Sequence, residues 1–190
     1  MKSRIQSLLS ESIKTKQLLY DNDIILNQLE QLADKVINTF KTGSKLIFAG
    51  NGGSFADSQH LSAEFVCRFM MDRNPLPSIA LGTNSSIMTA AGNDYGYEKV
   101  FSRELEALGQ KNDIFIAIST SGNSHNIIEA VKVAQKNDIF VMGWTGENGG
   151  SLNELCECIK IPSKNVARIQ ECHITIGHIL CEIVEKELFN

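Results

Sequence analysis

Several features that would settle the class of this chain are missing from it. There is no run of Lys and Arg: 18 basic side chains stand against 22 acidic ones, a formal net charge of −4. Such a balance gives a phosphate backbone no electrostatic footprint, so no nucleic-acid ligand is expected. A long apolar run is also missing, because the longest uncharged stretch, 74–93, is too rich in Pro, Gly, Ser, Thr and Asn to span a membrane. Residues 1–11 carry Lys2 and Arg4 but lack the unbroken apolar core of a signal peptide, which makes a cytoplasmic location the expectation. The five cysteines (Cys67, Cys156, Cys158, Cys172, Cys181) are odd in number and show no CxxC spacing. They read as reduced thiols, mostly in the core, rather than as metal or redox groups. With only three prolines there is no linker and no low-complexity tract, and no internal repeat is present. A chain of this length buries roughly 70% of its extended surface, enough for a core without disulfides or a structural metal. One domain over 1–190 is expected.

What is present is patterned. Ile25, Leu29, Leu32, Ala33, Val36, Ile37 and Phe40 share one face at a 3.6-residue period, with Asp21 or Asn22 to cap that helix and Gly43 to end it. Ile5, Leu8, Leu9 and Ile13 form a similar stripe ahead of it. Residues 1–42 therefore read as a helical hairpin, an N-terminal extension packed on the main domain or on a partner subunit. From Lys45 onward, short apolar runs alternate with helical segments: Leu46 to Ala49, Ile79 to Leu81, Ile114 to Ile118, Ile139 to Met142, and a weaker one at Cys158 to Ile161. Runs without polar alternation suit strands covered on both faces, the habit of parallel sheets with helical crossovers. The predicted fold is α/β, a three-layer sandwich around a parallel sheet of about five strands. A last segment, 167–188, carries an apolar stripe through Ile169, Cys172, Ile176, Leu180 and Ile183, with Glu182, Glu185 and Lys186 as polar residues near its end.

In open α/β sheets, ligands bind beyond the carboxyl ends of the strands. After the first run come Gly50, Asn51, Gly52, Gly53 and Ser54, then a helix, whose start offers free amides to a ligand. Phe55 stands where a dinucleotide fingerprint needs Gly, and no Lys beside the Ser completes a Walker loop. A glycine turn that binds nothing is the plain alternative. After the third run, Ser119, Thr120, Ser121, Gly122, Asn123 and Ser124 bring four hydroxyls to one helix start. A phosphate dianion suits such groups and the helix dipole, although Ser124 could instead merely cap the helix.

His60 and Glu64, four residues apart, share a helix face in a spacing that lets an imidazole and a carboxylate reach one divalent ion, or simply pair at the surface. Gln170, His173 and His178 lie among apolar neighbours on the last helix, where either histidine could be a satisfied core imidazole. His125 begins the helix after the serine loop. Gln170 and His178 are eight residues apart, about 12 Å along a regular helix. Both reach one ion only if the helix is distorted near Gly177 or the ligands come from two chains.

Taken together, NGGSFADSQHLSAE, AAGNDYGYEKVFSRELEALG, ISTSGNS and ARIQECHITIGHILCEIVE, in that order, resemble the phosphoheptose isomerase family of the sugar isomerase (SIS) fold over nearly the whole chain. The resemblance implies a cytoplasmic homotetramer with sites at subunit interfaces, one zinc ion per subunit, and a small-molecule sugar phosphate as substrate. The reaction it implies is conversion of sedoheptulose 7-phosphate to D-glycero-D-manno-heptose 7-phosphate for bacterial heptose synthesis, in the lipopolysaccharide core or a related glycan. Carried over by motif, His60, Glu64, Gln170 and His178 would hold zinc, with Glu64 and His178 catalytic. Ser119, Thr120, Ser121 and Ser124 would hold the phosphate, while Asn51, Gly52, Gly53, Asn93, Asp94, Glu64 and Gln170 would meet the rest of the substrate. Ala167 stands where some members have an acidic residue, so no catalytic carboxylate is expected there.

Two other functions compete. One is a non-catalytic phosphosugar-binding module of the same fold, including the replication-initiator-associating relatives, which resemble this chain but lack the full Glu64 and His178 pair. The other is a zinc hydrolase, which would release phosphate where an isomerase would not.

Overall fold

The structure, a computed structural model, describes residues 1–189. Its centre is one all-parallel sheet of five strands: β1 (Leu46–Ala49), β2 (Ser78–Ala80), β3 (Ile114–Ile118), β4 (Phe140–Gly146) and β5 (Glu157–Ile161). Their order is β2-β1-β3-β4-β5, so the crossovers reverse direction between β1 and β3. That reversal opens a crevice beyond the ends of these two strands, the usual ligand position of such sheets.

Side chains alternate across the sheet and build two cores. On one face Leu46, Phe48, Ile116, Trp144 and Ile159 pack under α2 (Asp23–Lys41), α3 (Gly53–Val66) and α8 (Val166–Phe189). On the other, Ile47, Phe115, Ala117 and Val141 meet α5 (Val100–Leu108), α6 (His125–Lys136) and the short α7 (Leu152–Leu155), with Ala91 of α4 (Ser85–Tyr95) at the margin. This is the expected three-layer α/β sandwich. Three strands differ in their bounds from the reading of the sequence: β2 is shifted one residue earlier to Ser78–Ala80, β4 runs from Phe140 through Gly143, Trp144 and Thr145 to Gly146, and β5 starts one residue earlier at Glu157. Gly143 is no strand breaker here. A Cβ at that position would lie 2.6 Å from Cys158 Sγ, so the residue is small because β5 comes close.

The two N-terminal helices differ in role. Asn22, rather than Asp21, caps α2 by accepting from the Ile25 amide at 3.2 Å, and the apolar face from Ile25 to Phe40 is buried in the core. By contrast, α1 (Lys2–Tyr20) lies along α8, held by Ser12 Oγ donating to Glu171 (2.6 Å) and Arg168 donating to the Leu8 carbonyl (3.1 Å). Its Ile5, Leu8, Leu9 and Ile13 remain more than half exposed.

On α8, Ile169, Cys172, Ile176 and Leu180 are buried as expected, but Ile183 faces outward and Val184 takes the next buried place. Glu185, expected among the polar residues of the helix end, is buried. His173 is also fully buried, its Nε2 3.3 Å from the Thr145 carbonyl oxygen; burial lowers its pKa to about 4, so the ring is neutral and structural. All five cysteines are free, and Cys158, Cys172 and Cys181 are buried. Among the described residues no helix is long and apolar enough to cross a membrane.

Candidate active site

Three groups of side chains gather around the crevice and the adjoining face. The first is the loop between β1 and α3. Gly52 is the N-cap of α3 and offers no side-chain cap, so the first amides of that helix stay open. Gly53 is a close approach: a Cβ there would fall 2.6 Å from Gln170 Nε2, which places the Gln170 amide over this loop. Asn51 and Asn126 exchange two hydrogen bonds, Asn51 Nδ2 donating at 2.9 Å and Asn126 Nδ2 donating back at 2.8 Å. The Tyr97 hydroxyl donates to Asn51 Oδ1 at 3.1 Å.

The second group is the serine loop between β3 and α6, beside the first because β1 and β3 are paired. Ser124 is the N-cap of α6 but makes no capping bond; its hydroxyl instead meets Ser119 Oγ at 2.9 Å. The capping alternative for Ser124 is therefore not what the loop does. Ser121 Oγ accepts from the Asn123 amide (3.1 Å), which is turn chemistry, yet the side chain stays exposed, and Thr120 is half-buried nearby. Asn93 and Asp94 lie at the end of α4, exposed and hydrogen-bonded to each other at 2.8 Å.

The third group joins α3 to α8. His60 Nε2 and His178 Nε2 are 2.9 Å apart with rings at 68°, and His60 Nε2 is 3.4 Å from Glu64 Oε1. One ligand atom from each of the three residues falls within 4.8 Å of the others. Two imidazole nitrogens and a carboxylate converging on one point are a donor set that fits zinc. Gln170 lies about two turns earlier than His178 on the same helix. Helix α8 is unbroken past Gly177, which packs against Leu61, so the eight residues between Gln170 and His178 keep them about 12 Å apart along the axis.

Asp57, one turn before His60 on α3, has Oδ2 buried without a hydrogen-bond partner among the described residues. Burial pushes its pKa up to about 6, with His60 working in the other direction. Neither Asp57 nor the Asn126 and Tyr97 contacts were singled out from the sequence. An Asn in the first turn of a helix and a Tyr in an irregular segment carry no spacing signal of their own.

Comparison with known proteins identifies the family. A family model described as a SIS domain matches residues 13–146. The phosphoheptose isomerase of Aneurinibacillus thermoaerophilus is 50% identical over all of this chain and 96% of its own length. A phosphoheptose isomerase of Campylobacter jejuni is 48% identical over all of this chain and 94% of its own. Among solved structures, a phosphoheptose isomerase from Francisella tularensis superposes with a TM-score of 0.91 at 34% identity, covering 97% of each chain. The one from Neisseria gonorrhoeae gives 0.90 at 38% identity, over 97% of this chain and 98% of that one. With relatives this similar along their whole length, and with the SIS domain spanning most of the sequence, the chain belongs to the phosphoheptose isomerase family of the SIS fold.

Proposed function

We propose that this enzyme converts sedoheptulose 7-phosphate to D-glycero-D-manno-heptose 7-phosphate through an enediol. The observation that carries the mechanism is the convergence of His60, Glu64 and His178 between two helices, in a chain with 50% identity to a phosphoheptose isomerase. Moving a carbonyl between adjacent carbons needs a base for the carbon-bound proton and a group that serves the two oxygens. Glu64 takes the proton from C1 and returns it at C2. The His178 imidazole moves protons at oxygen. His60, Glu64 and His178 would hold one zinc ion per subunit, supplying a Lewis acid for the oxygen charge of the enediol. The serine loop from Ser119 to Ser124 holds the phosphate, with Asn51, Gly52, Gly53, Asn93 and Asp94 along the sugar.

Gln170 lies over the glycine loop, where it can meet substrate in its own subunit. Completing a metal set eight residues away falls to a neighbouring chain, so the proposed assembly is a homotetramer with shared sites. The exposed stripe of Ile5, Leu8, Leu9 and Ile13 supports such contacts. A cytoplasmic role in bacterial heptose synthesis, for lipopolysaccharide core or a related glycan, goes with this activity.

The test is incubation of purified protein with sedoheptulose 7-phosphate, following aldose formation with and without a chelator. Aldose formation lost on chelation is the expected result. No aldose would overturn the assignment, and release of inorganic phosphate would point to a hydrolase. The phosphate site has its own test: Ser121→Ala combined with Ser124→Ala should raise KM for the ketose by about tenfold or more, since two hydrogen bonds shared by ground and transition states are lost. An unchanged KM would mean that neither hydroxyl meets the phosphate, leaving Ser121 to its turn and Ser124 to its contact with Ser119.

A further inference from the structure

The geometry points to Asn126 and Tyr97 as positioning residues that leave Asn51 a donor-only contact for the sugar. This rests on the proposal that Asn51 meets the substrate.

Asn126 sits buried in the first turn of α6, and its orientation is decided by the backbone. Its Oδ1 lies 3.0 Å from the Ile127 amide, a group that can only donate, so oxygen and not nitrogen occupies that place. The same oxygen accepts from Asn51 Nδ2, and Asn126 Nδ2 then donates to Asn51 Oδ1. The amide of Asn51 is thereby fixed as well. Tyr97 adds the second donor to Asn51 Oδ1. An amide oxygen has two lone pairs and both are now taken, while one N–H of Asn51 stays unused by the described residues.

Tyr97 is itself held in place. It opens a short 3-10 turn, Tyr97–Lys99, whose Lys99 forms an ion pair with Glu129 on α6. Two separate segments, α6 and the 3-10 turn, thus meet on the Asn51 side chain, and the turn is itself tied to α6, the helix that follows the serine loop.

The consequence is chemical selectivity. A free Asn can accept from a sugar hydroxyl or donate to an oxygen, whereas this one can only donate. Its remaining N–H suits a carbonyl oxygen or an enediol oxygen gaining negative charge, and it gives nothing to a hydroxyl hydrogen. A hydrogen bond that strengthens as charge develops acts mainly on kcat.

The experiment is a set of mutant cycles on the full enzyme: Asn51→Ala, Tyr97→Phe and Asn126→Ala singly, then each of the last two combined with Asn51→Ala. Tyr97 is 59% exposed, so Tyr97→Phe deletes a hydroxyl without disturbing the core and carries the test if Asn126→Ala folds poorly. Tyr97→Phe should lower kcat by about fivefold to tenfold with KM nearly constant, the loss of one hydrogen bond. In the Asn51→Ala background it should lower kcat no further, because residues acting through one another are not additive. Tyr97→Phe at wild-type kcat, or losses that multiply in the double variants while Asn51→Ala is impaired, would overturn the positioning role alone. Full activity in Asn51→Ala would remove Asn51 from the substrate and take this inference with it.

Discussion

Glu64→Gln should lower kcat by roughly 10²-fold or more, and His178→Gln should do the same, the usual range for a lost general acid or base. Glutamine keeps the shape of Glu64 and one oxygen but cannot accept a proton from carbon. The two side chains come from helices over a hundred residues apart in sequence, and both backbones are held independently of these groups. The Glu64 carbonyl accepts from the Arg73 guanidinium at 2.8 Å, and α8 carries a buried stripe either side of His178. Neither substitution should therefore alter the fold, and unchanged circular dichroism would show this. The companion measurement is isotopic: with wild-type enzyme in heavy water, deuterium should appear at C2 of the product, because the base exchanges its proton with solvent before returning it. Wild-type kcat in either variant would remove that residue from the mechanism. A product with no solvent deuterium would argue for transfer shielded from water.

The three central strands were legible in the sequence because they are buried on both faces and so read as apolar runs, whereas the edge strand β5, with Glu157 and Lys160 exposed, reads only weakly. The exception is instructive. The second half of β4 includes Gly143 and Thr145, which break the run, yet it is strand because it pairs with β5 and in part with β3, and residue 143 is glycine because the Cys158 thiol of β5 lies close over it. In the candidate site, His60 and Glu64 could be paired from spacing alone, since four residues on a helix is a local relation. That His178 joins them depends on how α3 packs against α8, and no local pattern contains that; the family resemblance supplied it. Asn126 shows the same limit. Its partner Asn51 is 75 residues away, and only the parallel pairing of β1 with β3 brings their loops together. Glu185 reads in the sequence only as one of the polar residues near the helix end, and nothing local marks it as buried, because the groups that satisfy it lie in an irregular segment over a hundred residues earlier.

That buried carboxylate supports the second large effect: Glu185→Ala should cost about 3–5 kcal/mol, the range for leaving one partner of a buried ion pair alone. Glu185 accepts from the amides of Phe69 (3.0 Å), Met70 (2.7 Å) and Met71 (3.0 Å) and from Arg73 Nε (2.8 Å). Both charged side chains are only 2% exposed. Arg73 in turn donates to the carbonyl oxygens of Phe65 and Glu64, each at 2.8 Å, and so closes the end of α3. Removing the carboxylate strands a buried guanidinium and three amides, and loosens the helix that presents His60 and Glu64 to His178. For a domain of this size the loss should lower Tm by roughly 10 °C. It also has a pH signature. Burial alone would raise the Glu185 pKa, but the three amides and Arg73 outweigh it and hold the group below the ordinary 4.5. The stabilisation is then fully present above that value and is lost as pH falls through the lowered one. The Tm gap between wild type and Glu185→Ala should accordingly be wide at neutral pH and close in acid. A gap under about 2 °C at neutral pH, less than 1 kcal/mol on the same scale, would mean that the amides find water and the knot holds nothing together.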